Sequence, residues 1–254
     1  MVFCKQKQNL YYPTLMTLEE FLSHFGKIYG KNNRIFYSPL EHVGFISAAI
    51  RNVQETLRKK PGNTRALEES IGGLIARIFA IATFYRKLPL NSGFCTKFPA
   101  GVCGDCQTST CSCDYQNRPK HSGNKPPEEQ FAWTLAQHQE NMRAVYGQSN
   151  TEKGGTSFCF ERLHSEAAEL VSILIGSDYT GCTAVEIEKG LVEEISDVLA
   201  WTLSLAVQLN VDAQHVALHM YGNGCPICSD NPCRCQKFRI DPRNQIETAR
   251  TQPA

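Results

Sequence analysis

The sequence lacks any apolar run near the roughly 18 residues that a membrane-spanning helix needs. Its first residues, MVFCKQKQNLYYPTLM, lack the apolar stretch of a secretory signal. Segments with the two-residue alternation of half-buried strands are sparse, which predicts an all-α fold. The net charge of only +1 disfavours a uniformly basic nucleic-acid binder. We therefore expect a helical protein without a membrane or nucleic-acid partner.

Cysteine is abundant, at twelve residues. Without an export signal, so many thiols indicate a reducing compartment, which we expect to be the cytoplasm. In such a compartment we expect the cysteines to serve as metal ligands. Eight of them form two runs of the pattern C-x2-C-x4-C-x-C, 122 residues apart: Cys103, Cys106, Cys111 and Cys113, then Cys225, Cys228, Cys233 and Cys235. Four thiolates so spaced fit a structural Zn²⁺ with no open coordination position, so we expect two structural zinc ions. An iron–sulfur cluster and disulfides are the alternatives, and Cys4, Cys95, Cys159 and Cys182 read as ordinary thiols.

The repeat extends beyond the cysteines. LEESIGGLIARIFAIA (67–82) aligns with LVEEISDVLAWTLSLA (191–206) at a shift of 124, and HVGFISAAI (42–50) aligns with EAAELVSIL (166–174) at the same shift. The halves differ in charge, with 17 Lys/Arg and 8 Asp/Glu in residues 1–125 against 9 and 17 in residues 126–254. The chain therefore reads as two diverged copies of one unit whose opposite charges attract.

Capping residues and apolar periodicity predict the helices of each copy. They are expected at about 17–29, 38–60 and 64–86, then at 127–146, 161–176, 183–209 and 212–221. The predicted organisation is a first repeat at 1–116 with a knuckle at 103–113, a linker at 117–127, a second repeat at 128–236 with a knuckle at 225–235, and a disordered tail at 237–254. Amphipathic helices joined by short connections bury their apolar faces by bundling.

Two acidic pairs stand out in the second copy. Glu166 and Glu169 are three residues apart, as are Glu194 and Asp197, so each pair can share a helix face. The second pair flanks the apolar stripe of its helix, where like charges repel unless a cation binds. Carboxylate oxygens suit Mg²⁺ or Mn²⁺. The alternative is that these pairs are solvated, as such pairs on helices usually are.

The first copy has no acid at the four matching positions. It carries His42, Phe45, Ser70 and Gly73 there. Only the second copy is therefore expected to hold a functional acidic site.

The acidic motif, with a gap of 24 residues between the pairs and Val198-Leu199 after the second, resembles the MazG family. The resemblance covers about residues 130–221. It implies an all-α nucleoside triphosphate pyrophosphohydrolase, related to dimeric dUTPases and phosphoribosyl-ATP pyrophosphohydrolase. In these enzymes two subunits bundle together, so the duplicated chain is expected to form a pseudo-dimer within itself. Whether pseudo-dimers pair into a larger homo-oligomer stays open.

The resemblance implies Mg²⁺-dependent hydrolysis of a nucleoside triphosphate to the monophosphate and pyrophosphate. Glu166, Glu169, Glu194 and Asp197 would hold the metal and act in catalysis, with Glu193 a spare candidate for the general base.

Phosphates also require cations. The nearest in the acidic half are Lys153, Arg162 and Lys189. The first copy is richer in them, and its Arg77 aligns with Trp201. We expect Arg77, Lys189 and Trp201 to bind substrate, the last by stacking. The alternatives are solvated charges and a core tryptophan.

Two rival functions remain from the sequence. One is a protein that senses a nucleotide or docks a partner without turnover, which the acid-free first copy makes conceivable. The other is a zinc-knuckle RNA binder, whose binding would depend on salt and not on the acids.

Overall fold

Every regular element in the described part of the chain is a helix. The computed structural model describes residues 15–85, 88–113, 125–179 and 183–235. The α-helices are α1 Leu18–Phe36, α2 Pro39–Lys59, α3 Thr64–Phe84, α4 Leu90–Lys97, α5 Leu135–Glu152, α6 Thr156–Tyr179, α7 Ala184–Gln208 and α8 Ala213–Tyr221, with a short 3₁₀ helix at Glu128–Ala132. None of the helices in these ranges is long and apolar enough to cross a bilayer. The all-α prediction is confirmed for the described residues.

Capping boxes fix the starts of four helices. The hydroxyls of Thr17, Ser38, Thr134 and Thr183 each accept from the backbone N–H three residues on. The sequence predicted those at Thr17 and Thr183. It missed the one at Thr134. Because of this cap, α5 begins at Leu135 and not near residue 127 as predicted. The structure also extends α1 to Phe36, because Gly30 and Asn33 beyond the expected end are buried. Helix α6 begins five residues early, and α4 was not predicted.

One apolar core joins both halves of the chain. Helices α3 and α7 are the most buried elements and pack against each other. Helices α1, α2 and α8 surround α3, while α4, α5 and α6 surround α7. All eight helices contribute buried apolar side chains to a single cluster. The halves therefore share their stabilising contacts.

Each cysteine knuckle packs against the first helix of the other half. The Cys111 N–H donates to Val145 O in α5 at 2.7 Å, and the Cys233 N–H donates to Ile28 O in α1 at 2.8 Å. The Asn32 amide in α1 also donates to Cys233 O, at 2.9 Å. The sequence predicted a knuckle after the last helix of each repeat, but it did not show this exchange.

Some predictions fall outside the described residues. These are the linker at 117–124, the tail at 237–254, and the thiols Cys4 and Cys182. The described ordinary thiols, Cys95 and Cys159, are buried, and burial raises the pKa of each, to about 11 and about 12. Such thiols stay protonated and unreactive at neutral pH.

Two buried histidines give the fold a predicted acid sensitivity. His42 and His138 are 1% and 0% exposed, and among the described residues no group forms a well-formed hydrogen bond with their ring nitrogens. Burial lowers the pKa of both to about 4, assisted for His42 by Arg77. Their neutral forms are favoured in the folded state, so stability is fully present above pH 6.5 and falls as the unfolded chain takes up protons below it.

We expect the free energy of unfolding to fall by roughly 1–1.5 kcal/mol per histidine between pH 7 and pH 5.5. Urea unfolding of the wild type and of a His42→Met/His138→Met variant at both pH values measures this. Comparing the two proteins removes acid effects that they share, such as weaker metal binding. The variant should lose roughly 2–3 kcal/mol less than the wild type. Equal losses in the two proteins would contradict the assignment.

Candidate functional site

Helices α6 and α7 bring three of the four predicted acids together. One carboxylate oxygen from each of Glu166, Glu194 and Asp197 lies within 4.8 Å of the others. The helices pack closely because α7 has a glycine at position 190, where a Cβ would lie only 2.9 Å from Ile173 of α6. Since Ile173 approaches Gly190 while Glu166 approaches Asp197, the two helices run in opposite directions.

The fourth predicted acid lies at the edge of this group. Glu169 lines the same cleft, but its carboxylate is exposed and outside the 4.8 Å group. Its Oε1 accepts from the Ser165 hydroxyl at 3.3 Å. The spare base candidate Glu193 is exposed and faces Lys189 at 3.9 Å. Three carboxylates thus form the centre of the site, with Glu169 at its rim.

Burial makes the acidic group electrostatically costly without a cation. Glu166 is 3% exposed, and burial, together with Asp197, raises its pKa. Burial and Asp197 also raise the pKa of Glu194, to about 7. The buried Glu194 Oε2 has no hydrogen-bond partner among the described residues. An unpaired buried carboxylate oxygen beside two others is the arrangement that a divalent cation satisfies.

Two cations already touch the acids. The Arg162 guanidinium donates to Glu166 Oε1 at 2.5 Å. The Lys97 ammonium, at the end of α4 in the first half of the chain, pairs with Asp197 Oδ2. Burial alone would lower the pKa of Lys97, but Asp197 and Glu194 outweigh it and raise the pKa. The first half therefore does supply a cation to the acidic site.

That cation differs from the predicted one. Arg77 does not line the acidic cleft; it lies in a second cavity beside the other knuckle, 5.0 Å from the Phe45 ring centroid. In the repeat alignment Arg77 corresponds to Trp201. Arg77 therefore lines the second cavity at the position that Trp201 has in the acidic cleft, and it does not lie beside Trp201. Lys189 is exposed and also does not line the cleft.

Trp201 does line the cleft. Its ring meets Phe158 edge-on at 5.5 Å, and the Arg162 guanidinium lies 5.7 Å from the ring centroid. It is half-buried, so one part of the ring packs in the protein while the rest faces the cleft. The predicted stacking role stays a prediction.

The acidic group opens into a cleft. Its empty volume, counted together with the open solvent at its mouth, is about 790 Å³. Acids and cations from α4, α6 and α7 form one wall. The first knuckle contributes Cys103, Asp105 and Cys111 to another, and α5 contributes Tyr146 and Asn150.

The two cysteine groups have the geometry of tetrahedral sulfur sites. In the first, Cys103 Sγ lies 3.6 Å from the sulfurs of both Cys111 and Cys113. In the second, the Cys225–Cys235 and Cys228–Cys233 sulfur pairs are 3.8 Å apart. Zinc–sulfur bonds of about 2.3 Å in a tetrahedron place sulfurs about 3.8 Å apart. All eight are free thiols, and both groups can hold zinc.

Sequence reasoning missed Lys97. No spacing links it to the acids, because it lies 100 residues before Asp197. The one available signal is its place between the apolar stretch 64–86 and Cys103, the first cysteine of the first knuckle. Only the packing of α4 on α7 converts that position into a contact with the site.

Comparison of the chain with protein-family models, with curated proteins and with solved structures found no match.

Proposed function

We propose that the chain is a MazG-like nucleotide pyrophosphohydrolase, folded as an internally duplicated pseudo-dimer with one active site. It would cleave the anhydride bond between the α- and β-phosphates of a nucleoside triphosphate, adding water to yield the monophosphate and pyrophosphate. The observation that carries the proposal is the convergence of Glu166, Glu194 and Asp197 from two helices beside a cleft with two cations.

Recurring contacts support the pseudo-dimer. Thr17 and Thr134, which cap α1 and α5, face each other in a single antiparallel bridge. The Ile28 carbonyl accepts from the Cys233 N–H, and the carbonyl of Val145, 117 residues later, accepts from the Cys111 N–H. Gln107 and Ser229, which are 122 residues apart, both have positive φ, 61° and 59°. Equivalent positions thus make equivalent contacts in both directions, as in a two-fold dimer.

Each residue of the acidic site has a proposed task. Glu166, Glu194 and Asp197 would hold Mg²⁺ or Mn²⁺, with Glu169 joining them from the rim. The metal, when bound, would supply Lewis-acid polarisation of phosphate oxygens and a more acidic water. Lys97 and Arg162 would offset phosphate charge. Trp201 would present its exposed face to the base.

The test is a panel of ribo- and deoxyribonucleoside triphosphates, incubated with Mg²⁺ and with Mn²⁺, with pyrophosphate and orthophosphate measured separately. The proposal expects metal-dependent release of one pyrophosphate per monophosphate formed. Orthophosphate as the first product would indicate a different phosphatase chemistry. Nucleotide binding without any product would favour the sensing protein, and salt-dependent RNA binding that survives loss of the acids would favour the RNA binder.

Lys97 provides a prediction on substrate affinity. Lys97→Gln is expected to raise the KM for the triphosphate by about 10-fold, because one charge-assisted contact is worth roughly 1.5–3 kcal/mol. Lys189→Gln and Arg77→Gln are the matched controls, since neither residue lines the cleft. Steady-state kinetics of pyrophosphate release gives KM and kcat for all three. An unchanged KM in Lys97→Gln, or a raised one in Lys189→Gln, would contradict the assigned positions.

A further inference from the structure

A second cavity lies between α1, α3 and the second knuckle. Its empty volume, counted together with the open solvent at its mouth, is about 660 Å³. The side chains that matter for a ligand are Tyr29, Asn33, Tyr37, Arg77, Tyr221 and Ile227. Nothing in the proposed pyrophosphohydrolase reaction uses this cavity.

The second cavity is lined by residues at the same repeat positions as those that line the acidic cleft. Tyr29 and Asn33 of α1 line it as Tyr146 and Asn150 of α5 line the cleft, in each case 117 residues later. Ala76 of α3 corresponds to Ala200 of α7, and Cys225, Cys233 and Cys235 form its wall as Cys103, Cys111 and Cys113 do in the cleft. The same helix positions and the same knuckle thus enclose both spaces.

The second cavity differs from the acidic cleft in the charge of the side chains that line it. No carboxylate of a described residue lines the second cavity. Arg77 occupies the position of Trp201, and among the described residues no Asp or Glu forms an ion pair with it. Its guanidinium lies over the Phe45 ring. A guanidinium held over a ring keeps N–H groups available to bind an anion in bidentate fashion.

The second knuckle places an apolar residue where the first knuckle places an acidic one. Ile227 of the second knuckle is 67% exposed, and it stands at the position of Asp105 in the first. Tyr37 adds an aromatic wall. A ligand with one phosphate for Arg77 and a flat apolar ring for Ile227 and Tyr37 fits both ends. One guanidinium without a metal offsets a larger share of the charge of a monophosphate than of a triphosphate.

We propose that this second cavity is a metal-independent binding site for a nucleoside monophosphate, with Arg77 holding the phosphate and Tyr37 and Ile227 contacting the base. The anion site is inferred from the cavity alone, whereas the choice of a nucleotide rests on the proposed function. The organic product of the reaction would then bind in a cavity lined by α3, which packs against α7 of the acidic cleft.

The test is equilibrium dialysis of the full chain, holding its zinc, against each ribo- and deoxyribonucleoside monophosphate without added divalent metal. We expect at least one to bind at a single saturable site. Arg77→Gln should weaken that binding at least 10-fold, and Arg77→Lys should weaken it less, because it keeps the charge but loses the planar fork. Arg51→Gln, which changes an exposed arginine on α2, and Glu194→Gln should leave it unchanged.

Several results would overturn the proposal. One is the absence of metal-independent binding by every monophosphate, which would leave Arg77 to offset the charge of the cysteine cluster. Another is binding that survives Arg77→Gln, in a protein whose circular dichroism matches the wild type, or that is lost in Glu194→Gln. Pyrophosphate release is assayed separately, so monophosphate binding without catalysis would contradict the proposed function alone, and catalysis without this binding would contradict the second site alone.

Discussion

Glu194→Gln is expected to lower kcat for pyrophosphate release at least about 100-fold, because it removes a carboxylate that would ligate the metal, whereas loss of an outer-shell partner alone costs about 10–100-fold. The amide keeps the shape of the side chain, so the loss would come from charge. Glu193→Gln is the matched control on the adjacent, exposed residue, which would not touch the metal. Steady-state kinetics with Mg²⁺ and with Mn²⁺ measures both variants.

The same substitution has an opposite expected effect on stability. Burial and Asp197 raise the pKa of Glu194 to about 7, so its ionised form weakens the metal-free fold at pH values above that. Glutamine removes the charge and should raise the free energy of unfolding at pH 8, without added Mg²⁺, by roughly 1–3 kcal/mol. Urea unfolding measures this. A variant that is both inactive and less stable would indicate a structural role for Glu194 and argue against the metal site.

Each knuckle is expected to hold one zinc ion and to stabilise the fold. Cys111→Ser and Cys233→Ser should each reduce zinc content from two ions per chain to one, as measured by elemental analysis. Each should cost about 3 kcal/mol or more in stability, since metal binding contributes to folding. For a chain of this size that lowers the melting temperature by roughly 6–12 °C. Cys95→Ala, which changes a buried cysteine outside both groups, should keep both ions.

Activity should separate the two variants at a temperature where both are folded. The first knuckle lines the acidic cleft, so Cys111→Ser should lower kcat/KM by about 10-fold or more, as the loss of supporting contacts to a site typically does. Cys233→Ser alters only the second cavity and should leave kcat/KM within about twofold of the wild type. Equal losses in both variants would mean that the knuckles act on the acidic site through global stability alone.

The helices and metal-ligand groups were largely predictable because their signals are local in sequence. Capping residues at Thr17 and Thr183, apolar periodicity and cysteine spacing each act within a few residues. The end of α1 was missed because its last turns are stabilised by contacts with other elements. Helix α4 was missed because an eight-residue helix depends on packing more than on its own propensity.

The acidic site was predictable in part for the same reason. Residues three apart on one helix must share a face, so each acidic pair was visible from spacing. How far α6 and α7 are offset along each other is not encoded in that spacing. The offset in the structure brings Glu166 to Glu194 and Asp197, and it leaves Glu169 at the rim.

The sequence by itself determined that the described chain is helical, that its cysteine pattern recurs, and that the acids of the candidate site all lie in its second half. Only the tertiary structure decided which groups from distant segments meet: Lys97 at Asp197, Arg77 at the second knuckle, and each knuckle on the opposite half. The physical reason is that caps and side-chain periodicity act over a few residues. Contacts across a hundred residues depend on how the shared core packs.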